Sequence, residues 1–436
     1  MNEPELQAKP QVRIEFLLNN LQGVDFGYYF DRFEFKGMMN GGYVIRAKLL
    51  DVNFNMMNNL IKDGYFRETR KKAIPIRFQI LAGSKGEYPK SATKSQIAIL
   101  LELNVDTKSG DAAFLEFVAI DPASWYLNTG DASGKVYKGR VDQVIRQVVN
   151  EYAPPINLDI GKTNDNVENK WWMMRQDPKT FISSLIEWSS SITQRKTQWL
   201  IECDGYDLTI KEQGALQSRQ RAFYRYLFDS KISTIKNINI RAKNALSIVQ
   251  TKLITAGLSA TSGRYLDKIT DSSEKNVFVS DKNTDNKQIA RTGDGQTFSK
   301  PADGGPTQLG WSQVMAIPEI YSSGDTGLPY ENYIDGRPRA IWLNMVNSLL
   351  RAKLTVMGHG EWSECRGLGV DTIFVKWTSG KVQDEDTGSK FWWPTGNWLV
   401  YGFNHVVTRK AWNTELYCAR YDYDSNARVV GGGSSN

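Results

Sequence analysis

Lys170–Gln213, KWWMMRQDPKTFISSLIEWSSSITQRKTQWLIECDGYDLTIKEQ, holds a strand, a helix and a hairpin in one short unit. Trp171–Met174 is aromatic and reads as extended chain. Asp177-Pro178 then opens a helix, because Asp at N-cap accepts from an orphan amide and Pro at N1 has no amide to leave unpaired. Phe181, Ile182, Leu185, Ile186 and Ile192 fall on one stripe at helical spacing, and Ser189–Ser191 weaken its end. Trp199, Ile201 and Cys203 alternate with polar residues, Asp204-Gly205 turns the chain, and Leu208 and Ile210 return. This unit reads as the close of an insertion lying between two β-barrels.

Upstream, Val12–Leu18 begins the ordered chain after a loose arm. Gly41-Gly42 marks a turn, after which Tyr43, Ile45, Ala47 and Leu49 alternate; 54–61 reads as a short helix. Ile74, Ile76, Phe78 and Ile80, then Ile97 to Val105, then Phe114–Ile120 carry the period-two pattern of half-buried strands, and Asp121-Pro122 stops the last. Residues 1–128 therefore read as a first β-barrel of about five strands, completed by a hairpin at 198–213. The insertion, 129–197, starts with an amphipathic helix over Val141–Tyr152 that Pro154-Pro155 ends, and 157–169 reads as a polar loop.

Downstream, 214–425 reads as a second β-barrel interrupted by a long polar segment at 259–335. Gln213–Leu227 is an arginine-rich mixed segment. Ile238–Ala242 reads as a strand and 244–253 as a short helix, and short strands are expected at 277–279 and 314–320. A helix is expected from Pro338 to Lys353, followed by strands near 370–375, 398–407 and 414–421. Residues 426–436, rich in Gly and Ser, read as a flexible tail. The fold class is α+β, mainly β.

The 436 residues suffice for two or three domains. No apolar run is long enough to span a membrane, and the first residues lack the apolar core of a secretory signal. Cys203, Cys365 and Cys418 are scattered and odd in number, which suits free buried thiols in a reducing compartment. The net charge of +6 permits an acidic partner without requiring one. Two histidines make a His-rich metal site untenable; 13 Trp and 19 Tyr suit sheets and protein interfaces.

The sequence has no phosphate-cradling loop, no nucleophile elbow and no closely spaced Cys pair; the Gly293/Gly295 and Gly367/Gly369 pairs lack the third glycine of a dinucleotide site. No catalytic residue, cofactor or metal is assigned. His405 reads as a packed sheet histidine and His359, between two glycines, as a turn residue. Arg67, Arg70, Lys71 and Lys72 form a basic cluster that is either a solvated strand approach or a loop that meets an acidic surface or nucleic acid. The acidic run Asp384–Asp386 reads as a solvated hairpin loop. Trp392 and Trp393 are adjacent, so on a strand one ring would face outward, which favours an interface.

Two segments carry a resemblance. GRVDQVIRQVVNEY followed by the opening stretch resembles the middle of the phage baseplate hub family, which includes late-control D proteins and the N-terminal part of VgrG spikes. The matching positions are Val141, Val144, Ile145, Gln147, Val148 and Val149, then Asp177, Phe181, Ile182 and Leu185. Ala340–Glu361, read as a helix leading into L-T-V-x-G-H-x-E-W, and then Asn397–Arg420, with N-W-L-V-Y-G-F-N-H-V-V followed by T-E-L-Y-C-A-R, resemble that family's second barrel. These motifs define a barrel pattern and no reaction. The resemblance implies two tail-tube-like barrels per chain and a homotrimer whose six barrels join the sixfold tail tube to the threefold central spike. It also implies a channel holding the tape measure protein and passing DNA without sequence-specific binding. Expected partners are the spike, a tail tube or tube-initiator protein, the tape measure and the baseplate wedges, in a contractile virion tail assembled in the host cytoplasm. With no spike β-helix after residue 436, the chain is expected to be a stand-alone hub. The alternatives are a tail-associated cell-wall hydrolase and a receptor- or carbohydrate-binding tail module.

Overall fold

A computed structural model of the chain describes residues 10–18, 24–52, 54–62, 73–82, 90–107, 112–130, 134–162, 169–173, 176–188, 199–212, 216, 219–227, 234–242, 350–378 and 395–420. The first part contains strands β1 (Gln11–Phe16), β2 (Phe30–Met38), β3 (Gly42–Val52), β4 (Pro75–Ala82), β5 (Lys90–Ser91), β6 (Gln96–Thr107) and β7 (Ala112–Ile120), with helix α1 (Asn55–Lys62) after β3. Alternation explains these strands. In β1 and β4, Val12, Ile14, Phe16, Ile76, Phe78 and Ile80 are buried while Arg13 and Arg77 face out.

The middle part contains helices α2 (Pro122–Thr129), α3 (Val141–Tyr152) and α4 (Pro178–Trp188). Its strands are β8 (Val136–Gly139), β9 (Asn157–Ile160), β10 (Asn169–Trp172), β11 (Trp199–Asp204) and β12 (Asp207–Glu212). The last part contains β13 (Gln220–Leu227), β14 (Ile235–Ala242), β15 (Leu350–Met357), β16 (Thr372–Thr378), β17 (Gly396–Thr408) and β18 (Trp412–Arg420).

The chain is mainly β, as read. The first and last parts build one 13-stranded sheet in the order β1-β4-β6-β7-β3-β2-β17-β18-β15-β14, with β16 on β17, β13 on β16 and β5 on β4. The two halves meet where β17 pairs antiparallel with β2, from Gly402↔Met38 to Thr408↔Arg32. The two barrels expected from the sequence are joined here in one sheet, and no closed barrel is present among the described residues. One buried cluster runs through both halves, and among the described residues β1 and β14 each have one ladder neighbour, so the sheet path is open. The reason is local: Phe35 on β2 packs edge-on against both Phe78, 5.0 Å away, and Phe403 on β17, 5.1 Å away. Gly37 lets the chains approach, since a Cβ there would stand 2.5 Å from the Phe403 ring.

A second buried cluster unites α2, α3, α4 and the middle strands. Asp177 caps α4 by accepting from Thr180 N–H at 2.8 Å, and Val144, Ile145, Val148 and Val149 pack the buried face of α3. The hairpin β11–β12, expected to return to the first barrel, instead forms a three-stranded sheet in which β12 pairs parallel with β9. That pairing also corrects the loop expected over 157–169: Leu158 and Ile160 register with Leu208 and Ile210. The helix expected through Lys353 is overturned at its end, where Leu350 to Lys353 begin β15 and Ala352, Leu354 and Val356 alternate inward. The remainder of that helix, the helix at 244–253 and the strands at 277–279 and 314–320 lie outside the described residues. Among the described residues no helix is long and apolar enough to cross a membrane.

Candidate functional site

Arg67, Arg70, Lys71, Lys72, Trp392 and Trp393 lie outside the described residues, as does the run Asp384–Asp386. The two histidines do not form a site. His405 is fully buried with both ring nitrogens engaged, Nε2 on the Trp362 carbonyl at 2.8 Å and Nδ1 on Thr414 Oγ1 at 2.8 Å. A carbonyl only accepts, so Nε2 carries the proton and Nδ1 accepts, also from the Trp412 indole N–H at 3.2 Å. Burial pushes its pKa down to about 4, which keeps the ring neutral and without a nitrogen free for a substrate. His359 does more than turn the chain: its Nε2 lies 2.7 Å from the Tyr224 hydroxyl, which ties the 358–362 segment to β13.

The thiols are inert by the same logic. Cys203, Cys365 and Cys418 are free and buried, and burial pushes the Cys203 thiol up to about 12 and the other two above their ordinary value. Among the described residues, no group of three or more His, Cys, Asp or Glu could hold a metal ion.

The densest polar constellation is the seam where the middle part meets both halves of the sheet. Asp121 follows β7 and is fully buried; its carboxylate accepts from Ser124 N–H at 2.8 Å, capping α2, and from Tyr43 N–H at 3.2 Å, joining α2 to β3. Lys179 of α4 donates to Ser124 Oγ at 2.9 Å and to the Gly41 carbonyl at 3.3 Å. Burial outweighs these contacts and pushes Asp121 up to about 6. Gly42, at φ +70°, is required here, because a Cβ would stand 2.1 Å from the Asp121 carboxylate. Asn40 Oδ1 accepts from Ile201 N–H at 2.8 Å, and Glu202 accepts from Gly367 N–H at 2.8 Å, which joins β11 to the second half.

A second polar knot closes the far side. Asp371, buried, accepts from Arg219 N–H at 3.1 Å and from the Arg221 guanidinium. Arg221 also donates to the carbonyls of Arg366 at 2.6 Å and Glu361 at 3.2 Å and lies 5.1 Å over the Trp362 ring. Both constellations consist of donors and acceptors satisfied within the chain. They fix elements to one another. Exposed apolar side chains offer the other candidate contacts. Trp172, facing Val136 across β10–β8, is 58% exposed, and Phe223 is 53% exposed while stacking on Phe374 at 5.5 Å. Trp171, its neighbour, turns inward and donates to the Gly139 carbonyl at 3.0 Å. The sequence offered a signal for Trp172 in the adjacent-Trp argument applied to Trp392 and Trp393.

No family model matches this sequence, and no curated protein sequence matches it. Among solved structures the chain is similar to the tail protein from Neisseria meningitidis MC58, with a TM-score of 0.52 and 9% identity over 95% of this chain and 97% of that one. It aligns more loosely with the prophage MuSo2 tail protein from Shewanella oneidensis, at TM-score 0.48 and 11% identity over 94% and 98% of the two chains. A type VI secretion component of E. coli aligns at TM-score 0.45 and 8% identity over 94% of this chain and 77% of that one. The likeness at such identities is one of fold. The chain shares a mainly-β fold with that Neisseria tail protein.

Proposed function

We propose that this chain is a structural hub of a phage-type contractile tail, working as a homotrimeric ring rather than as an enzyme. Its two sheet halves act as two tail-tube-like units per chain, 1–128 and 214–425, with 129–197 as an insertion domain beside them. Three chains then present six such units to a sixfold tube and a threefold face to a central spike. The ring surrounds the channel that the tape measure occupies and DNA later crosses. Spike, tube or tube-initiator and wedge proteins are its partners in the virion baseplate. The observation that carries the reading is the nearly full-length fold likeness to a tail protein, 95% of this chain against 97% of that one. The hub-like motifs at Val141–Val149 and Asp177–Leu185 support it, and so does a polar inventory spent on joining elements. Sheet ends that are open among the described residues suit closure by neighbouring chains. Electron microscopy of tail particles carrying a tag on this chain tests it: label in a threefold ring at the spike base is expected, and label on the sheath or the tail fibres would refute it.

A further inference from the structure

The tip of the β11–β12 hairpin holds a carboxylate that the seam described above does not use. Asp204 ends β11 beside the Gly205 turn, and its Oδ1 is buried with no hydrogen-bond partner among the described residues. Its carboxylate meets the backbone N–H of Cys365, from the second half of the sheet. The tip is also pinned to the first half, since the Gly205 carbonyl accepts from Ala123 N–H at 3.0 Å. The groups facing Asp204 are acidic or neutral on every side. Asp121 and Tyr43 face it from the first half, Glu364 and Cys365 from the second, and Cys203 and Asp207 from its own hairpin. The nearby cations are committed elsewhere: Lys94 pairs with Glu364, and Lys179 donates to Ser124 and Gly41.

We propose that Asp204 is a proton-dependent latch, which seats the hairpin tip against both halves of the sheet when uncharged and releases it when ionised. An ionised carboxylate places charge on an oxygen that no donor reaches, next to Glu364 and Asp121; admitting water relieves both the desolvation and the repulsion. Asp121 differs in that two backbone N–H groups meet its carboxylate, donors that its ionised form keeps and the Asp204 Oδ1 lacks. Burial first, then Glu364, pushes Asp204 up to about 7, so the seated form is favoured below neutrality and is lost as pH rises through that value.

The cysteines report the opening. Cys203 and Cys365 lie at the tip, whereas Cys418 is buried in β18 away from it and serves as an internal control. N-ethylmaleimide labelling, read at each site by mass spectrometry from about pH 6 to about pH 8.5, is divided by the rate at the same site in urea-unfolded chain, which cancels thiolate chemistry. Protection at Cys203 and Cys365 is expected to fall about tenfold across that range while Cys418 stays flat, and Asp204→Asn is expected to abolish the fall. Glu364→Gln, at a partly exposed position, is expected to move the midpoint to lower pH. Constant protection in the natural chain, or the same fall in Asp204→Asn, overturns the latch. Should Asp204→Asn fail to fold, an unmoved midpoint in Glu364→Gln overturns it.

Discussion

Removing the Asp371 carboxylate should loosen β13 from β16 far more than removal of a surface ion pair would. The Asp371 side chain is 1% exposed and that of Arg221 16% exposed, so the carboxylate has no water to fall back on and the guanidinium little. β13 runs parallel to β16 from Gln220↔Thr372 to Leu227↔Thr378, and the pair sits at the start of that ladder. Asp371→Ala strands a mostly buried guanidinium, and breaking a fully buried pair costs about 3–5 kcal/mol in general. Arg221 keeps the Arg366 and Glu361 carbonyls and the Trp362 ring, which places the expected loss near the lower end, ~3 kcal/mol. Arg221→Ala should cost about as much, because the carboxylate retains only the Arg219 N–H among its observed donors. Once one partner is gone the other has little left to lose, so the double variant should cost well below the sum. A coupling of ~2 kcal/mol or more is expected. Hydrogen exchange at the β13 amides, followed against urea, reads this local opening energy directly. A coupling below ~0.5 kcal/mol, the size seen for exposed pairs, would refute the claim that this buried pair locks the strand.

His405 makes a pH prediction with a definite sign. Its folded pKa of about 4 lies below the unfolded value of about 6.5, so its contribution is complete above that value and is lost as pH falls toward 4. The shift corresponds to ~3 kcal/mol, and His405→Gln should flatten that part of the stability profile measured by urea unfolding. Asp121 works in the opposite direction: raised to about 6, it stabilises most at low pH and loses that contribution as pH rises through 6, a slope that Asp121→Asn should remove. Gly360→Ala should cost ~2 kcal/mol or more by thermal melting, because its Cβ would stand 1.6 Å from the Ala92 carbonyl oxygen and would part the β5–β6 turn from the second half.

Individual strands were legible wherever one face is buried. Ile74 to Ile80 and Thr414 to Arg420 show alternation and are strands with that face buried; Ile97 to Val105 is also a strand, but a register shift between Leu100 and Glu102 leaves Leu101 and Val105 of its alternating set exposed. The capped helix at Pro178 was legible for a stated reason, and the same Asp-Pro signal at Asp121-Pro122 marks the start of α2, although read alone it only stopped a strand. What local pattern could not supply was partnership. Nothing in FDRFEFKGM indicates that β2 will pair with β17, more than 350 residues away in sequence, because register across a long gap depends on tertiary packing such as Phe35 on Phe403. Four-residue β9 was missed because Leu158 and Ile160 give too short an alternation, and only the parallel pairing with β12 completes it. The seam was invisible for a different reason: Asp121 and Glu202 look like ordinary surface acids until the fold buries them, and Asp204 does until the fold half-buries it. Of the residues singled out for partner contact, none lies in the described chain, whereas Trp172 and Phe223 do and are exposed.

The central claim is that three copies act as one ring, and the mass of the assembled protein tests it most directly. Size-exclusion chromatography with light scattering on the chain mixed with its spike should return complexes containing three copies of the 49.4 kDa chain per spike trimer. A chain that remains monomeric at every concentration, with the spike and tube proteins both present, would contradict the account.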